Sequence, residues 1–413
     1  MDHFNYQQDL LFAEEVPLSK IAEQYGTPSY VYSRATLERH AKAYTESFSS
    51  MDGLVCFSVK ALSNVAILKV LKQCGCGFDI VSGGELHRAL LAGADPQKII
   101  FSGVGKSKAE MAAGIKSNIL SFNVESESEL MALEEVAKDM NAIAPVAIRF
   151  NPGVDAGEHE FIKTGRKSDK FGVSIDEAML LISECMQSKN LNIVGLTCHI
   201  GSQISELEKF SEAATQSLKL LLEVEKLGAK LNFIDMGGGL GVTYVDEKTV
   251  QPYELIKCYE EIFQDRPERL IVEPGRSISA NAGILLTKVE YKKNDFLITD
   301  AAMNDLLRPA LYQAQHDVWQ VNNKSNDIKN YNVVGPICET GDFLAKDKQL
   351  SANEGDLLAL RSVGAYGFVM SSNYNSRMRS AEILVDKDKF HLIRRREELL
   401  DLTKLEEGLH DEI

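Results

Sequence analysis

The chain is 413 residues long, 44% hydrophobic and 25% charged, and it has no low-complexity tract, so it exceeds one ordinary domain and a disordered or fibrous class is excluded. Its net charge of −15 argues against a nucleic-acid or anionic-membrane surface, yet leaves room for a small anion in a locally basic pocket. No segment approaches about 18 uninterrupted apolar residues, and the start MDHFNYQQDLLFAEE lacks the basic head and apolar core of a signal peptide. The seven cysteines form no regular framework, with Cys74 and Cys76 only two apart; they read as reduced thiols, and the expected compartment is the cytoplasm.

In chain order, the first strand signal is SYVYS, Ser29–Ser33. Eight short apolar runs come next: Val55–Val59, Phe78–Val81, Ile99–Phe101, Ile119–Val124, Val146–Phe150, Ile193–Cys198, Leu231–Met236 and Leu270–Val272. Helix-length segments separate them. Ser63–Lys72 carries Val65, Ile67, Leu68 and Leu71 at helical spacing, and Ser205–Leu227 carries Leu207, Phe210, Leu218, Leu221, Leu222 and Val224. Strand and helix therefore alternate eight times, the pattern of a parallel (β/α)8 barrel of the TIM type. Beyond residue 280 the helices stop. Strand-like pieces at Gly283–Tyr291, Phe296–Thr299, Tyr331–Val334, Asp356–Leu360, Ala381–Val385 and Phe390–Ile393 are broken by turn signals at Asn294-Asp295, Gly341-Asp342 and Glu354-Gly355. The expected fold class is α/β: a barrel over residues 34–279, and a mainly antiparallel, sandwich- or barrel-like β-domain from residues 1–33 and 280–413.

Barrels of this kind place their active sites at the C-terminal ends of the strands, so the residues just past each run are the candidates for chemistry. The first run delivers Lys60, the second Asp79 and Ser82, the fifth Arg149 and Asn151, the sixth His199, Ser202 and Gln203, the seventh Gly237–Gly239, and the eighth Glu273, Pro274, Gly275 and Arg276. A lysine ending a strand can simply lay its stem on apolar surface, and glycines can serve tight turns. Together, though, the glycine loops after strands seven and eight offer unobstructed N–H groups where barrels commonly bind phosphate, and a phosphate site near a lysine suggests a Schiff base. The spacing Gly237, Gly239, Gly241 puts Val242 where a dinucleotide fingerprint needs its last glycine. Glu273 could keep a pyridine nitrogen protonated and so make the ring an electron sink, which a simple Schiff-base aldolase does not need. His199 could lie against such a ring, its plainer alternative being a satisfied structural histidine. Arg276, Arg308 and the tyrosines 312, 366 and 374 could bind carboxylate and phosphate oxygens, where surface arginines are the ordinary alternative. Cys338 and Glu339 sit at a junction of small residues where a buried structural cysteine would be ordinary.

Taken together, the motifs FSVKALSN around Lys60, FDIVSGGEL (78–86), HIGSQI (199–204), MGGGLG (236–241), EPGRS (273–277), MNDLLRPALY (303–312), GPICETGD (335–342) and GAYGFVMSSNYNSR (364–377) make the chain resemble the diaminopimelate decarboxylases, group IV decarboxylases of the alanine racemase-like barrel fold. The resemblance runs in order from about residue 28 to 395, and NPGVDAGEHEFIKTG (151–165) with KFG (170–172) look like the same family's loops after strand five. It implies pyridoxal 5'-phosphate as cofactor, carried covalently by Lys60, with His199 against its ring, Glu273 at the pyridine nitrogen, and Asp79, Ser202, Gly239, Gly275, Arg276 and Tyr366 also binding the cofactor. It implies no metal. It further implies that Arg276, Arg308, Tyr312 and Tyr366 hold substrate, that Glu339 meets its distal amino group and Cys338 is a candidate proton donor, and that Cys338 and Glu339 reach the site from the partner subunit of a homodimer. The implied reaction is decarboxylation of meso-2,6-diaminoheptanedioate at its D-configured centre to L-lysine and CO2, the last step of lysine biosynthesis. Thr340 stands where serine is more usual and RMR (377–379) where a proline is common. Related ornithine enzymes typically carry Asp where this chain has Glu339, so an ornithine- or arginine-type decarboxylase is the weaker alternative. A non-catalytic pyridoxal-phosphate barrel would lack the β-domain motifs, and a racemase would use a tyrosine base in place of the cysteine loop.

Overall fold

In a computed structural model, residues 2–155, 170–323 and 327–406 are described, so most of the loop expected after the fifth barrel strand lies outside the described residues. The chain divides into two compact units, Glu38–Thr243 with Glu247–Ile278, and Met1–Leu37 with Tyr244–Asp246 and Ser279–Ile413.

The first unit is a closed barrel of eight parallel strands, Gly53–Ser58, Gly77–Ile80, Ile99–Phe101, Ser121–Val124, Ala144–Arg149, Leu191–Thr197, Phe233–Asp235 and Arg269–Val272, and each expected apolar run overlaps one of them. The ring closes where Leu270, Ile271 and Val272 pair with Gly53, Leu54 and Val55. Strands covered on both faces read as continuous apolar runs rather than alternating ones, which is why they stand out in the sequence. Leu54, Cys56, Ile100, Ala147, Val194, Phe233 and Ile271 form one buried cluster contributed by six of the strands. Most of the barrel strands' buried polar residues gather at one end: Ser58, Asp79, Ser102, Asn123, Arg149, Thr197, Asp235 and Glu273 all fall at or close to the C-terminal ends of their strands, whereas Ser121 opens its strand.

The loops at that end also start the helices. Asn64, Ser82, Ser107, Ser126 and Ser174 each accept a backbone N–H as N-caps of the helices Val65–Gln73, Gly83–Leu91, Lys108–Ser117, Glu127–Asp139 and Ile175–Gln187. Full capping boxes with Glu110 and Glu177 fix two of these starts, so the loops that carry the polar residues are held at both edges.

The second unit holds a branched nine-stranded sheet, with Ser29–Ser33 joining it as SYVYS suggested. Its hub is the long strand Gly283–Lys293. The first half pairs antiparallel with Ser29–Ser33 and Leu357–Leu360; beyond Lys288 it turns to Phe296–Thr299 through a register shift. Lys329–Val334, Phe343–Leu350, Ala381–Asp386, Lys389–Arg394 and Val318–Gln320 complete the sheet, which is antiparallel except where Phe296–Thr299 meets Lys329–Val334 and Ser29–Ser33 meets Ala381–Asp386. A separate three-stranded sheet, Phe4–Gln7, Leu10–Ala13 and Val16–Pro17, was not evident in the sequence; Leu11, Ala13 and Val16 bury against Val31, Ile284, Leu286 and Ile383. Among the described residues no helix is long and apolar enough to cross a membrane.

Candidate active site

The mouth of the barrel collects the first set of expected residues. Gly53–Ser58 runs into a single helical turn, Val59–Ala61, that carries Lys60. Its ammonium lies 2.8 Å from Asp79 Oδ2 on the neighbouring strand, with the lysine side chain 39% exposed and the aspartate fully buried. The Ser58 hydroxyl is 2.9 Å from the same carboxylate oxygen and 3.0 Å from the Glu273 carbonyl oxygen, tying strands one, two and eight together beneath Lys60.

Glu273 sits at the end of strand eight in the company of two other buried acids, Asp79 and Asp235. Burial first, and then the charges of Asp235 and Asp79, push its carboxyl well above the ordinary range, with Lys60 opposing. Burial likewise pushes Asp235 up to about 6, although Asp235 Oδ1 accepts the Gly237 N–H at 2.9 Å. Asp235 and Glu273 share a side-chain hydrogen bond, while Glu273 Oε1 is buried and finds no hydrogen-bond partner among the described residues. A buried acceptor in this state calls for a donor, and a cationic one would reverse the penalty on ionisation.

His199 follows strand six. Its Nδ1 accepts the Gly238 backbone N–H at 3.2 Å, and since an amide can only donate, the ring proton belongs on Nε2. Burial, reinforced by Arg149 and Lys60, holds the imidazole well below its usual pKa, so it is neutral and offers an uncharged face. The glycine loop beyond strand seven is zipped to the His199 loop: Ile204 N–H donates to Gly239 O and Gly241 N–H to Ile204 O, both at 2.9 Å. A Cβ on Gly238 would stand 2.2 Å from the Glu273 carbonyl oxygen, and one on Gly239, whose φ is +108°, 2.5 Å from Gly201 O. Only glycine permits this approach of three loops. A Cβ on Gly275 would meet Ser58 and Ala61 at 3.0 Å, and Arg276 directs Nε and Nη2 to Ser202 Oγ at 3.2 and 3.0 Å.

Lys60, Asp79, His199, Ser202, Gly239, Glu273, Gly275 and Arg276 thus share one end of the barrel. Arg276 is only 8% exposed, which removes the surface alternative for it. The set fits pyridoxal phosphate: an amine at a strand end, a buried carboxylate oxygen lacking a donor where a pyridine N–H could bind, a neutral imidazole, and glycine loops flanked by an arginine.

The second unit arranges the remaining residues. Arg308 opens the short helix Arg308–Tyr312 and is 7% exposed, so it too is no surface arginine. Its guanidinium lies 4.7 Å from the Tyr244 ring centre. Cys338 and Glu339 are exposed, contrary to the buried alternative, on a loop tied down through Asp342, which accepts the Met303 N–H at 2.7 Å and the Ile337 N–H at 2.8 Å. The Tyr374 hydroxyl donates to Glu339, and the Cys338 N–H donates to Asn375 Oδ1 at 2.9 Å, so these loops form one exposed cluster. Tyr312 and Tyr366 are half-buried, the latter at a left-handed φ of 56°. A side chain held there is strained unless its surroundings fix it.

Sequence reasoning gave no role to four neighbours of these residues. Asp235 was hidden inside the run Leu231–Met236, although a carboxylate just before three glycines at a barrel mouth is itself a signal. Glu85 lay within FDIVSGGEL without standing out; burial pushes it up to about 7, with Asp79 and Lys60 among the charges it feels. Tyr244 and His316 carried no periodic or spacing signal.

A family model, pyridoxal-dependent decarboxylase, pyridoxal binding domain, matches residues 34–280. The diaminopimelate decarboxylase of Pseudomonas aeruginosa is 52% identical over 97% of this chain and 98% of its own length, and that of Vibrio cholerae 50% over 99% and 100%. Among solved structures, diaminopimelate decarboxylase from Helicobacter pylori complexed with L-lysine superposes with a TM-score of 0.91 at 41% identity, covering 94% of this chain and 99% of that one. The enzyme from M. jannaschii in co-complex with L-lysine gives 0.94 at 35%, covering 99% and 98%. With its parallel barrel, its strand-end lysine and the buried acid of strand eight, the chain belongs to the diaminopimelate decarboxylase family of pyridoxal-dependent decarboxylases.

Proposed function

We propose that the chain catalyses the pyridoxal-phosphate-dependent decarboxylation of meso-2,6-diaminoheptanedioate to L-lysine and CO2, the last step of lysine biosynthesis, as a cytoplasmic homodimer whose sites draw on both subunits. The observation that carries this reading is the pairing of Lys60 on Asp79 with the donor-seeking Glu273 at the same barrel mouth. When bound, pyridoxal phosphate supplies an electron sink conjugated to the substrate's α-carbon, so the electron pair of the breaking carbon–carboxylate bond can be delocalised.

The protein's part is holding and proton placement. Lys60 is the covalent anchor, and Asp79 keeps its Nζ aimed across the mouth. Glu273, ionised once a cationic N–H faces its Oε1, holds that proton in place. His199, neutral and fixed by Gly238, supplies a flat uncharged surface. Ser202, the amides of Gly239 and Gly275, and Arg276 hold phosphate oxygens, with Tyr366 also binding the cofactor. On the substrate side, Arg276, Arg308 and Tyr312 grip the carboxylate that is kept, Glu339 pairs with the distal ammonium, and the Cys338 thiol is the candidate donor of the proton that replaces CO2. Gripping a retained carboxylate with arginines also sets specificity. Ornithine, or lysine entering with its only carboxylate at the scissile position, would leave these guanidinium groups without the carboxylate they are placed to hold, and sites built on such pairing reject the deficient analogue by about 10⁴.

The deciding experiment supplies the purified protein with pyridoxal phosphate and, separately, meso-2,6-diaminoheptanedioate and ornithine, measuring CO2 and the product amine. CO2 and L-lysine in equal amounts from the first, with at most trace turnover of the second, is the expected result. Preferred turnover of ornithine, or cofactor binding without CO2 from either, would overturn the assignment.

A further inference from the structure

Arg308 does not stand alone. Its Nη1 lies 3.0 Å from His316 Nε2, and His316 Nδ1 lies 2.8 Å from the carbonyl oxygen of Arg361. Guanidinium nitrogens can only donate and a carbonyl can only accept, so the two contacts together fix the ring: Nε2 carries the lone pair and Nδ1 the proton. His316 is 1% exposed and is therefore held as one neutral tautomer with both nitrogens engaged. The Tyr244 ring completes the support, 4.7 Å from the Arg308 guanidinium on one side and edge-on to His316 at 5.3 Å and 88° on the other. The far end of this relay is anchored as well. Arg361 follows the strand Leu357–Leu360, and its N–H donates to Asp317 O at 2.9 Å. Its side chain stacks 3.6 Å over Trp319 and pairs with Asp2.

We propose that His316 is a positioning residue for substrate recognition, holding the Arg308 guanidinium, through the Nη1–Nε2 hydrogen bond and the Tyr244 face, in the orientation that takes the carboxylate retained in the product. The choice of an imidazole has a physical reason. A carboxylate in its place would orient Arg308 equally well but would neutralise it, and an arginine already satisfied by an internal anion is a poor receptor for an external one. A neutral imidazole and an aromatic face fix direction without adding a negative charge of their own beside the guanidinium. The inference rests on Arg308 being a carboxylate receptor in the proposed reaction.

The test uses the holoenzyme and two inhibitors that differ in the group at issue: L-lysine, which carries the retained carboxylate, and 1,5-diaminopentane, which lacks it. His316→Phe, which keeps a planar ring without the acceptor, should raise KM for meso-2,6-diaminoheptanedioate and the inhibition constant of L-lysine by about tenfold or more, the cost expected for losing a hydrogen bond to a charged group. The constant for 1,5-diaminopentane should stay within about twofold and kcat should change less than KM. His316→Gln, whose amide oxygen can accept from Arg308, should recover most of the loss and carries the test by itself if the phenylalanine variant does not fold. Arg308→Ala separates the two levels of the argument. If it fails to weaken L-lysine selectively, the role of Arg308 is wrong. If it does so while His316→Phe leaves L-lysine binding unchanged or weakens both inhibitors alike, the role of His316 is wrong.

Discussion

At the residue scale, the barrel mouth concentrates acid where solvent is scarce, and each acid answers differently to that cost. Burial, together with the neighbouring Asp235 and Asp79 carboxyls, pushes Glu273 well above the ordinary carboxylate range, with Lys60 opposing. Glu273→Gln keeps the shape but removes the charge that would retain a proton on a ring nitrogen, so kcat should fall by roughly 100-fold, about 3 kcal/mol of barrier, while cofactor affinity changes little. Steady-state kinetics with an equilibrium cofactor titration reads both, and a fully active variant would exclude an electron-sink role. Lys60→Ala should abolish turnover together with the yellow absorbance of the bound cofactor; Lys106, in the loop after the third barrel strand, has a buried side chain already paired with Glu129. Retained turnover in that protein would remove the core of the assignment. Glu85 offers a test in pH. Burial raises it from 4.5 to about 7, so between those values the folded chain binds the proton that the unfolded chain releases. Its cost is small in acid and grows as pH rises toward 7, reaching about 3 kcal/mol above it. Glu85→Gln should therefore gain on the parent by about 2 kcal/mol between pH 5 and pH 8 in chemical denaturation with excess cofactor. A gain of equal size at both pH values would show that ionisation is not its source.

At the element scale, the site depends on loops that approach more closely than side chains allow. Gly238→Ala would press a Cβ to 2.2 Å from the Glu273 carbonyl, and neither strand end can yield without moving Glu273 or His199. This variant should weaken cofactor binding by at least about tenfold, read by fluorescence titration. Gly341→Ala, where a Cβ meets nothing within 4 Å, should bind as the parent does. Equal binding by both variants would show that the glycine loop can relax. The same dependence on close packing decides what was legible in the sequence. Barrel strands such as Ala144–Arg149 announce themselves, here through the run Val146–Phe150, because both faces are covered, and their polar ends mark the site by position alone. Phe343–Leu350, FLAKDKQL, escaped because several of its residues face outward at exposed positions and leave no apolar run. Val318–Gln320 is too short to show a period. Lys60, His199 and Glu273 could be found because each ends a run. Asp235 lay inside one, and His316 acts through Arg308 and Arg361, partners 8 and 45 residues away that only the fold brings together.

At the scale of the whole molecule, the residues proposed to hold the cofactor lie in the barrel except for Tyr366, which the β-unit carries together with Arg308, Tyr312, Cys338 and Glu339. Cys338 is exposed while every other cysteine is buried or half-buried, and Glu339 and Tyr374 beside it are exposed too. Solvent exposure is a poor setting for a proton donor and for a carboxylate meant to select an ammonium group. A partner subunit laid over this cluster would exclude the water that weakens both, which is the physical case for sites shared across a homodimer. Complementation tests it. Lys60→Ala and Cys338→Ala homodimers should each be nearly inactive. After mixing and subunit exchange, about half of all dimers are heterodimers, each with one doubly damaged site and one intact site that joins Lys60 of one chain to Cys338 of the other. About a quarter of the parental activity should therefore return. Native mass spectrometry verifies the exchange, and if heterodimers form without any recovery, Cys338 serves its own chain's site or no site at all.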